Sequence, residues 1–166
     1  NAALDPIKNG AICDKCGAMV SGSPVVTALT NSKGQFTLKD VPVGSNIPIV
    51  IQVGKWRKKF ILPNVAQCVN TPVANGVLKF PAKIAANTDD AMPKIAMVTG
   101  GCDPLACILA KIGIDSTEFV DTSNTTKHVT WYNGQSGSAP GSPQPATALW
   151  GSLTEMKKFD MVINSC

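Results

Sequence analysis

"KIAMVTGGCDPLACILAKIG", residues 94–113, decides how this chain folds. Its first eight residues are a continuous apolar run ending in two glycines, the pattern of a strand buried on both faces of a parallel sheet. From Asp103 to Gly113 the apolar residues recur instead with helical periodicity. Asp103 is placed to cap that helix, Pro104 to open it and Gly113 to stop it as the C′ residue. Strand, turn and helix in this order predict the start of a βαβ unit.

Working outward toward the C-terminus, "HVTWYN" (128–133) reads as a second strand. "ALWGSLTEMKKF" (148–159) reads as a helix with Leu149, Leu153 and Met156 on one face, and "DMVINSC" (160–166) as a further strand. "NGQSGSAPGSPQPA" (133–146) has the composition of a flexible surface loop. Residues 94–166 are therefore expected to form a partial α/β domain, an incomplete flavodoxin-like or Rossmann-like parallel sheet. Parallel strands need cover on both faces and neighbours on both sides, so so narrow a sheet would expose an apolar edge. The expectation is a fragment: either more of the same chain beyond Cys166 or another polypeptide completes the sheet.

Toward the N-terminus, "FPAKIAANTDDAMP" (80–93) is polar and bounded by prolines, and residues 81–93 are assigned as a linker. Residues 1–80 change period. "VVTALT" (25–30), "QFTLK" (35–39), "IPIVIQV" (47–53) and "WRKKFIL" (56–62) are short β-rich segments separated by Gly-, Pro- and Asn-containing turns, which predicts an antiparallel β-sandwich. Gly34 supplies positive φ for a tight turn, and Phe36 and Leu38 alternate inward from Gln35, Thr37 and Lys39. The fold class read from sequence is thus α+β in two parts.

Composition sets the outer limits. The chain has 166 residues, 44% hydrophobic and 16% charged, which suffices for a packed core, and no apolar run approaches the roughly 20 residues that span a bilayer. The formal charge of +4 is spread along the chain except at Lys55, Arg57, Lys58 and Lys59, where the basic residues interleave with Trp56 and Phe60 as on a solvated strand face. No nucleic-acid partner is expected. Six cysteines in a Ser/Thr/Asn/Gly-rich chain favour an oxidising compartment, so the protein is expected to be secreted or held in the cell envelope.

Two resemblances extend this reading. "TNSKGQFTLKDVPVGSNIPIVIQVGKWRKKF" resembles the carboxypeptidase regulatory-like domains of the transthyretin-like β-sandwich family, with Gly34, Phe36, Leu38, Val41, Pro42 and Gly44 carrying the match over about residues 10–80. That resemblance implies a non-catalytic module appended to other domains of secreted or cell-surface proteins. The arrangement as a whole, with "KIAMVTGG", "ILAKIGID" and "KKFDMVINSC", resembles secreted two-part proteins of myxobacteria-like bacteria. In these a regulatory-like sandwich precedes a glutamine-amidotransferase-like or ThuA-like α/β domain.

Candidate chemistry gathers at the cysteines and the diglycine. Amides after Gly100 and Gly101 at a helix start are candidates for binding an anion, but Asp103 at the cap competes for the same donors. Cys102, ahead of a helix, and Cys166, at a strand's carboxyl end, are candidate nucleophiles. Both lack an evident base, because His128 is the sole histidine and opens a strand. Cys13 and Cys16 are candidate zinc ligands, with Cys68 and His128 as the only spare partners, while Asp14, Asp89 and Asp90 lack EF-hand spacing. Disulfide formation is the favoured use of all six: Cys13, Cys16 and Cys68 lie in one half and Cys102, Cys107 and Cys166 in the other. The expected bridges are Cys166 to Cys107 or Cys102, and Cys68 to Cys13 or Cys16. Trp56, Trp131, Tyr132 and Trp150 are candidates for a glycan platform, with packing in a core or under a loop favoured. The sequence therefore points to a binding or assembly protein with no cofactor and no catalysis of its own. The alternative is part of a hydrolase or amidotransferase-like enzyme completed elsewhere.

Overall fold

A computed structural model of the protein describes residues 3–12, 20–86, 88–124 and 126–165. The chain is an α+β mixture of two sheets. Strands β1 (Gly44–Val53) and β2 (Trp56–Val65) form an antiparallel ribbon closed by Gly54 and Lys55, with Val53 opposite Trp56 and Gly54 at φ 53°. A two-residue turn with positive φ matches the twist of the ribbon it joins. Strands β3 (Ile95–Thr99), β4 (Phe119–Val120), β5 (Val129–Asn133) and β6 (Met161–Asn164) form a parallel sheet in the order β4-β5-β3-β6.

The apolar run that opened the sequence analysis becomes β3, and all five of its residues are buried. Strand alternation sends its side chains to two cores. Ile95 and Met97 join Val129, Trp131 and Met92 beneath helix α1 (Ala106–Lys111), which contributes Leu109. Ala96 and Val98 join Tyr132 and Phe159 on the other face, covered by helix α2 (Ala146–Trp150) through Ala146 and Leu149. The connections leaving β3 and β5 thus go to opposite faces of the sheet, and the central strands are covered on both.

Several elements depart from their sequence reading for identifiable reasons. Residues 25–30 and 35–39 carry no strand: Val25 is 79% and Leu29 95% exposed, so no second layer covers them. The turn between them does form, with Gly34 at φ 75° and the Asn31 side chain accepting from the amides of Lys33 and Gln35. Helix α1 begins after Asp103, with Leu105 at its N-cap and no side-chain cap bond, while Gly113 at φ 101° follows its last turn as expected. The helix expected over 148–159 divides into α2 and α3 (Leu153–Met156), because Ser152 turns extended and its hydroxyl accepts from the Glu155 amide.

Segment 81–93, polar by composition, is built into the fold. Met92 is 1% exposed within the α1 core, Ile84 packs against it, and the Ala82 carbonyl accepts from the Asp115 amide. The tip of the ribbon meets the same body: Trp56 packs on the α1 core, and Lys55 pairs with Asp160 and donates to the Gly10 carbonyl at 2.6 Å.

Candidate functional site

In an open parallel sheet, ligands approach the carboxyl ends of strands whose outgoing connections diverge. Here that position lies between β3 and β5. It is occupied by the protein itself. A Cβ on Gly134 would lie 2.0 Å from the Thr99 carbonyl oxygen, and one on Gly137 2.5 Å from Thr99, so only glycine lets the segment after β5 lie this close to the end of β3. Gly101 meets Ser136 from the other side.

The segment 133–146, expected to be a flexible loop, is a strap across this edge. Its far end is held by Asp121, directly after β4. The Asp121 carboxylate accepts from the Ser142 amide at 3.0 Å and from the Ser123 amide at 2.9 Å and hydroxyl, and Gly141 is pressed against it. The Gln144 amide donates to Thr122 Oγ1, and the Asn133 amide donates to the Gln144 carbonyl. Glycine is used here for close backbone approach, and Ser142 and Gln144 for amide donors, rather than for mobility. A shallow cavity of about 330 Å³ beside the strap has Phe119 and Trp131 as its apolar wall and Asp121, Ser123 and Asn124 as its rim. The Ser123 hydroxyl, then the Ser142 and Ser123 amides, hold the Asp121 carboxyl below the usual carboxylate range. A carboxyl lowered in the folded state supports the fold above its unfolded pKa, and that support is lost as pH falls through the folded value. We therefore expect the Ser142 amide to become rapidly exchanging at a pH below about 4, in step with Asp121 protonation, in a hydrogen-exchange titration. Asp121→Asn is expected to abolish the transition.

Charge gathers at the opposite, amino end of the sheet. Glu118 closes the 3-10 turn Ser116–Glu118, in which the Asp115 side chain accepts from the Thr117 amide, and is 1% exposed. One oxygen accepts from the Ile84 amide at 3.2 Å, and the other lies 2.7 Å from Nδ1 of His128, the residue before β5. Lys94, the residue before β3, donates from Nζ to the Lys127 carbonyl at 2.5 Å. Burial lowers the Lys94 pKa, opposed by the charges of Glu118 and Asp160. Asp160 accepts from the Lys94 amide at 2.6 Å and pairs with Lys55 through its other oxygen. These groups join the starts of β3, β5 and β6 to the turn ahead of β4.

The sequence-designated residues fall at different places. Cys102 and Gly101 are exposed after β3, and Cys107 is exposed on α1. Helix α1 is six residues long and begins at Ala106, with Asp103, Pro104 and Leu105 between it and Cys102, so Gly100 and Gly101 do not form a helix N-terminus. His128 precedes β5 and Cys102 follows β3, so the two stand at opposite ends of parallel five-residue strands that are each roughly 17 Å long at 3.3 Å per residue. Among the described residues there is no disulfide: Cys68, Cys102 and Cys107 are free and exposed. Cys13, Cys16 and Cys166, and with them the expected bridges and the Cys13–Cys16 metal pair, lie outside the described residues. Among the described residues no group of three His, Cys, Asp or Glu side chains is placed to hold a metal ion, and no helix is long and apolar enough to cross a membrane.

The basic cluster is a solvated face only in part, with Lys59 exposed and Lys58 half-buried. Arg57 is 4% exposed, and its guanidinium donates to the carbonyls of Asp5 at 2.8 Å and Asp89 at 3.0 Å. Lys58 lies 3.7 Å from Asp90, and Lys59 lies 2.7 Å from Asp89. Of the aromatics, Trp56 donates from Nε1 to the Pro81 carbonyl and packs on Phe80, Trp131 packs on Phe119, and Tyr132 meets Phe159 edge to face. Burial, helped by Glu155, pushes the Tyr132 hydroxyl up to about 12. Trp150 departs from the expected packing and is 49% exposed.

Sequence reasoning missed Glu118, Arg57 and the strap. A lone glutamate ten residues before the sole histidine carries no motif. The repeated Gly, Ser and Pro of residues 133–146 were the available signal for close backbone packing. No family model, curated protein or solved structure matches this chain.

Proposed function

We propose that this protein is a binding or assembly module of the cell exterior or envelope, without catalysis of its own. A regulatory-like sandwich unit at residues 1–80 and a Rossmann-like or flavodoxin-like unit at residues 94–166 remain the finer reading of its two sheets. The observation that carries the proposal is strand β6. It pairs with β3 on one side, no described strand pairs with its other side, and Met161 is 50% and Val162 40% exposed. Leu153 at 67% and Met156 at 38% are further exposed apolar residues, on α3. An unpaired apolar edge offers backbone donors and acceptors to a further strand. The separation of His128 from Cys102, and the filling of the β3–β5 crevice by the strap, weigh against a nucleophile–base pair there.

Sedimentation of the purified chain over a wide concentration range tests this. The expected result is self-association that Val162→Lys abolishes while leaving thermal stability unchanged. A chain that stays monomeric at millimolar concentration, and that hydrolyses activated esters or glutamine in a manner lost on Cys102→Ala, overturns it in favour of the amidotransferase-like reading.

A further inference from the structure

We propose that the groove between the tip of the β1–β2 ribbon and helix α1 binds the chain of an aliphatic carboxylate, with Lys79 meeting its head group. The groove encloses about 650 Å³, within the roughly 300–1,000 Å³ of small-molecule sites. Separate parts of the chain build it. Val53 and Trp56 flank the turn of the ribbon, Leu78, Lys79 and Phe80 come from the segment after β2, and Ile112 closes the C-terminus of α1. Val53 is 60%, Ile112 58% and Phe80 38% exposed, so each part leaves a large apolar side chain uncovered at the same concave place. Apolar residues scattered singly over a surface need no explanation, whereas their convergence on one cleft marks a binding site.

The polar inventory of the groove selects the ligand. The Trp56 indole donates to the Pro81 carbonyl at 3.0 Å, the Ala82 carbonyl accepts from the Asp115 amide at 2.8 Å, and the Gly113 amide donates to the Ala110 carbonyl at 3.0 Å. These wall groups are engaged within the fold and ask nothing of a ligand. Lys79 is the single charged residue of the lining. Its side chain folds over Gly76, where a Cβ would lie 3.3 Å from Cε and 3.6 Å from Nζ, and among the described residues its ammonium pairs with no carboxylate.

An apolar cleft with one unengaged cation suits an apolar molecule that carries one negative charge. The Trp56 and Phe80 rings are inclined at 42° with centroids 5.8 Å apart, which leaves no parallel slot for a flat ring and favours a flexible aliphatic chain. The groove shares no residue with the β6 edge, so the site stands whether or not that edge pairs.

The test titrates decanoate into the full chain by calorimetry and locates the site by amide and indole chemical shifts. Saturable binding with a Kd of about 1 mM or tighter is expected, strengthening roughly fourfold for each methylene added from octanoate to decanoate. The Trp56 indole and the amides of Leu78, Lys79, Phe80 and Gly113 should shift. Decyltrimethylammonium, with the same chain and the opposite charge, should bind more weakly than decanoate. Lys79 is exposed, so Lys79→Glu leaves the fold intact. It is expected to weaken decanoate roughly tenfold, because an exposed charge contributes up to about fivefold and the substitution turns attraction into repulsion. It should also tighten decyltrimethylammonium, reversing the preference, which a merely structural role for Lys79 would not do. Absence of saturable decanoate binding, shifts confined to other residues, or an unchanged head-group preference in Lys79→Glu overturns the proposal. So do ligand-free shifts of these same amides that grow with protein concentration, the mark of a second copy seated in the groove.

Discussion

Truncation of Glu118 to alanine is expected to destabilise the protein by about 2–3 kcal/mol, the range for leaving buried hydrogen-bonding partners unsatisfied. In a chain of this size that lowers the melting temperature by roughly 4–12 °C. The size of the effect follows from what remains. Without the carboxylate, the Ile84 amide loses its acceptor, and His128 and the half-buried Lys94 lose the charge that faces them. Glu118→Gln retains the shape and an acceptor and is expected to cost about half as much, because its amide still reaches both neighbours but carries no charge. His128→Ala in the Glu118→Ala background should add little, since most of the interaction is already gone, so a double-mutant cycle by urea unfolding reads the coupling directly. A loss below about 1 kcal/mol for Glu118→Ala, the level of an exposed pair, would sink this account of the amino end of the sheet.

Arg57→Met is expected to cost about 2–4 kcal/mol, the sum of two carbonyl groups left without donors and offset by the apolar volume of methionine. The guanidinium holds three separate pieces of chain to β2: the carbonyl of Asp5 near the N-terminus, the carbonyl of Asp89 and, at 3.4 Å, the hydroxyl of Ser21. The backbone bridge between Arg57 and Ala91 does not need the side chain and should persist. Local hydrogen exchange therefore separates the two contributions: Ala91 should stay protected while the N-terminal segment becomes proteolytically accessible. Arg57→Lys should recover less than half of the loss, because an ammonium is a single point donor and cannot fork toward carbonyls on different segments. Full recovery by lysine would mean that charge rather than donor geometry holds the junction.

Both residues act at joints between segments far apart in sequence, and that explains why neither was legible beforehand. Arg57 lies in a run of basic residues that, taken alone, describes a wet strand face. The buried position follows only from Asp5, Ser21 and Asp89 converging on one guanidinium. Glu118 acquires meaning only once β4 stands beside β5 and brings the turn ahead of it to His128. A two-residue strand has no period of its own to read.

The sequence alone determined what depends on neighbours within a few residues. The buried run at 95–99 had to be a central strand because its five residues leave no polar face, the Gly54–Lys55 pair had to close a hairpin, and Gly113 had to end a helix. Those outcomes follow from local sterics and periodicity, which each segment carries with it. Tertiary structure alone decided the rest: that residues 25–30 find no sheet to join, that 133–146 lies as a strap over Thr99 and Asp121, and that segment 81–93 enters the core. In each of these the deciding energy is a contact made by a distant segment, and a composition rich in Gly, Ser and Pro describes a loop in water equally well until that contact forms.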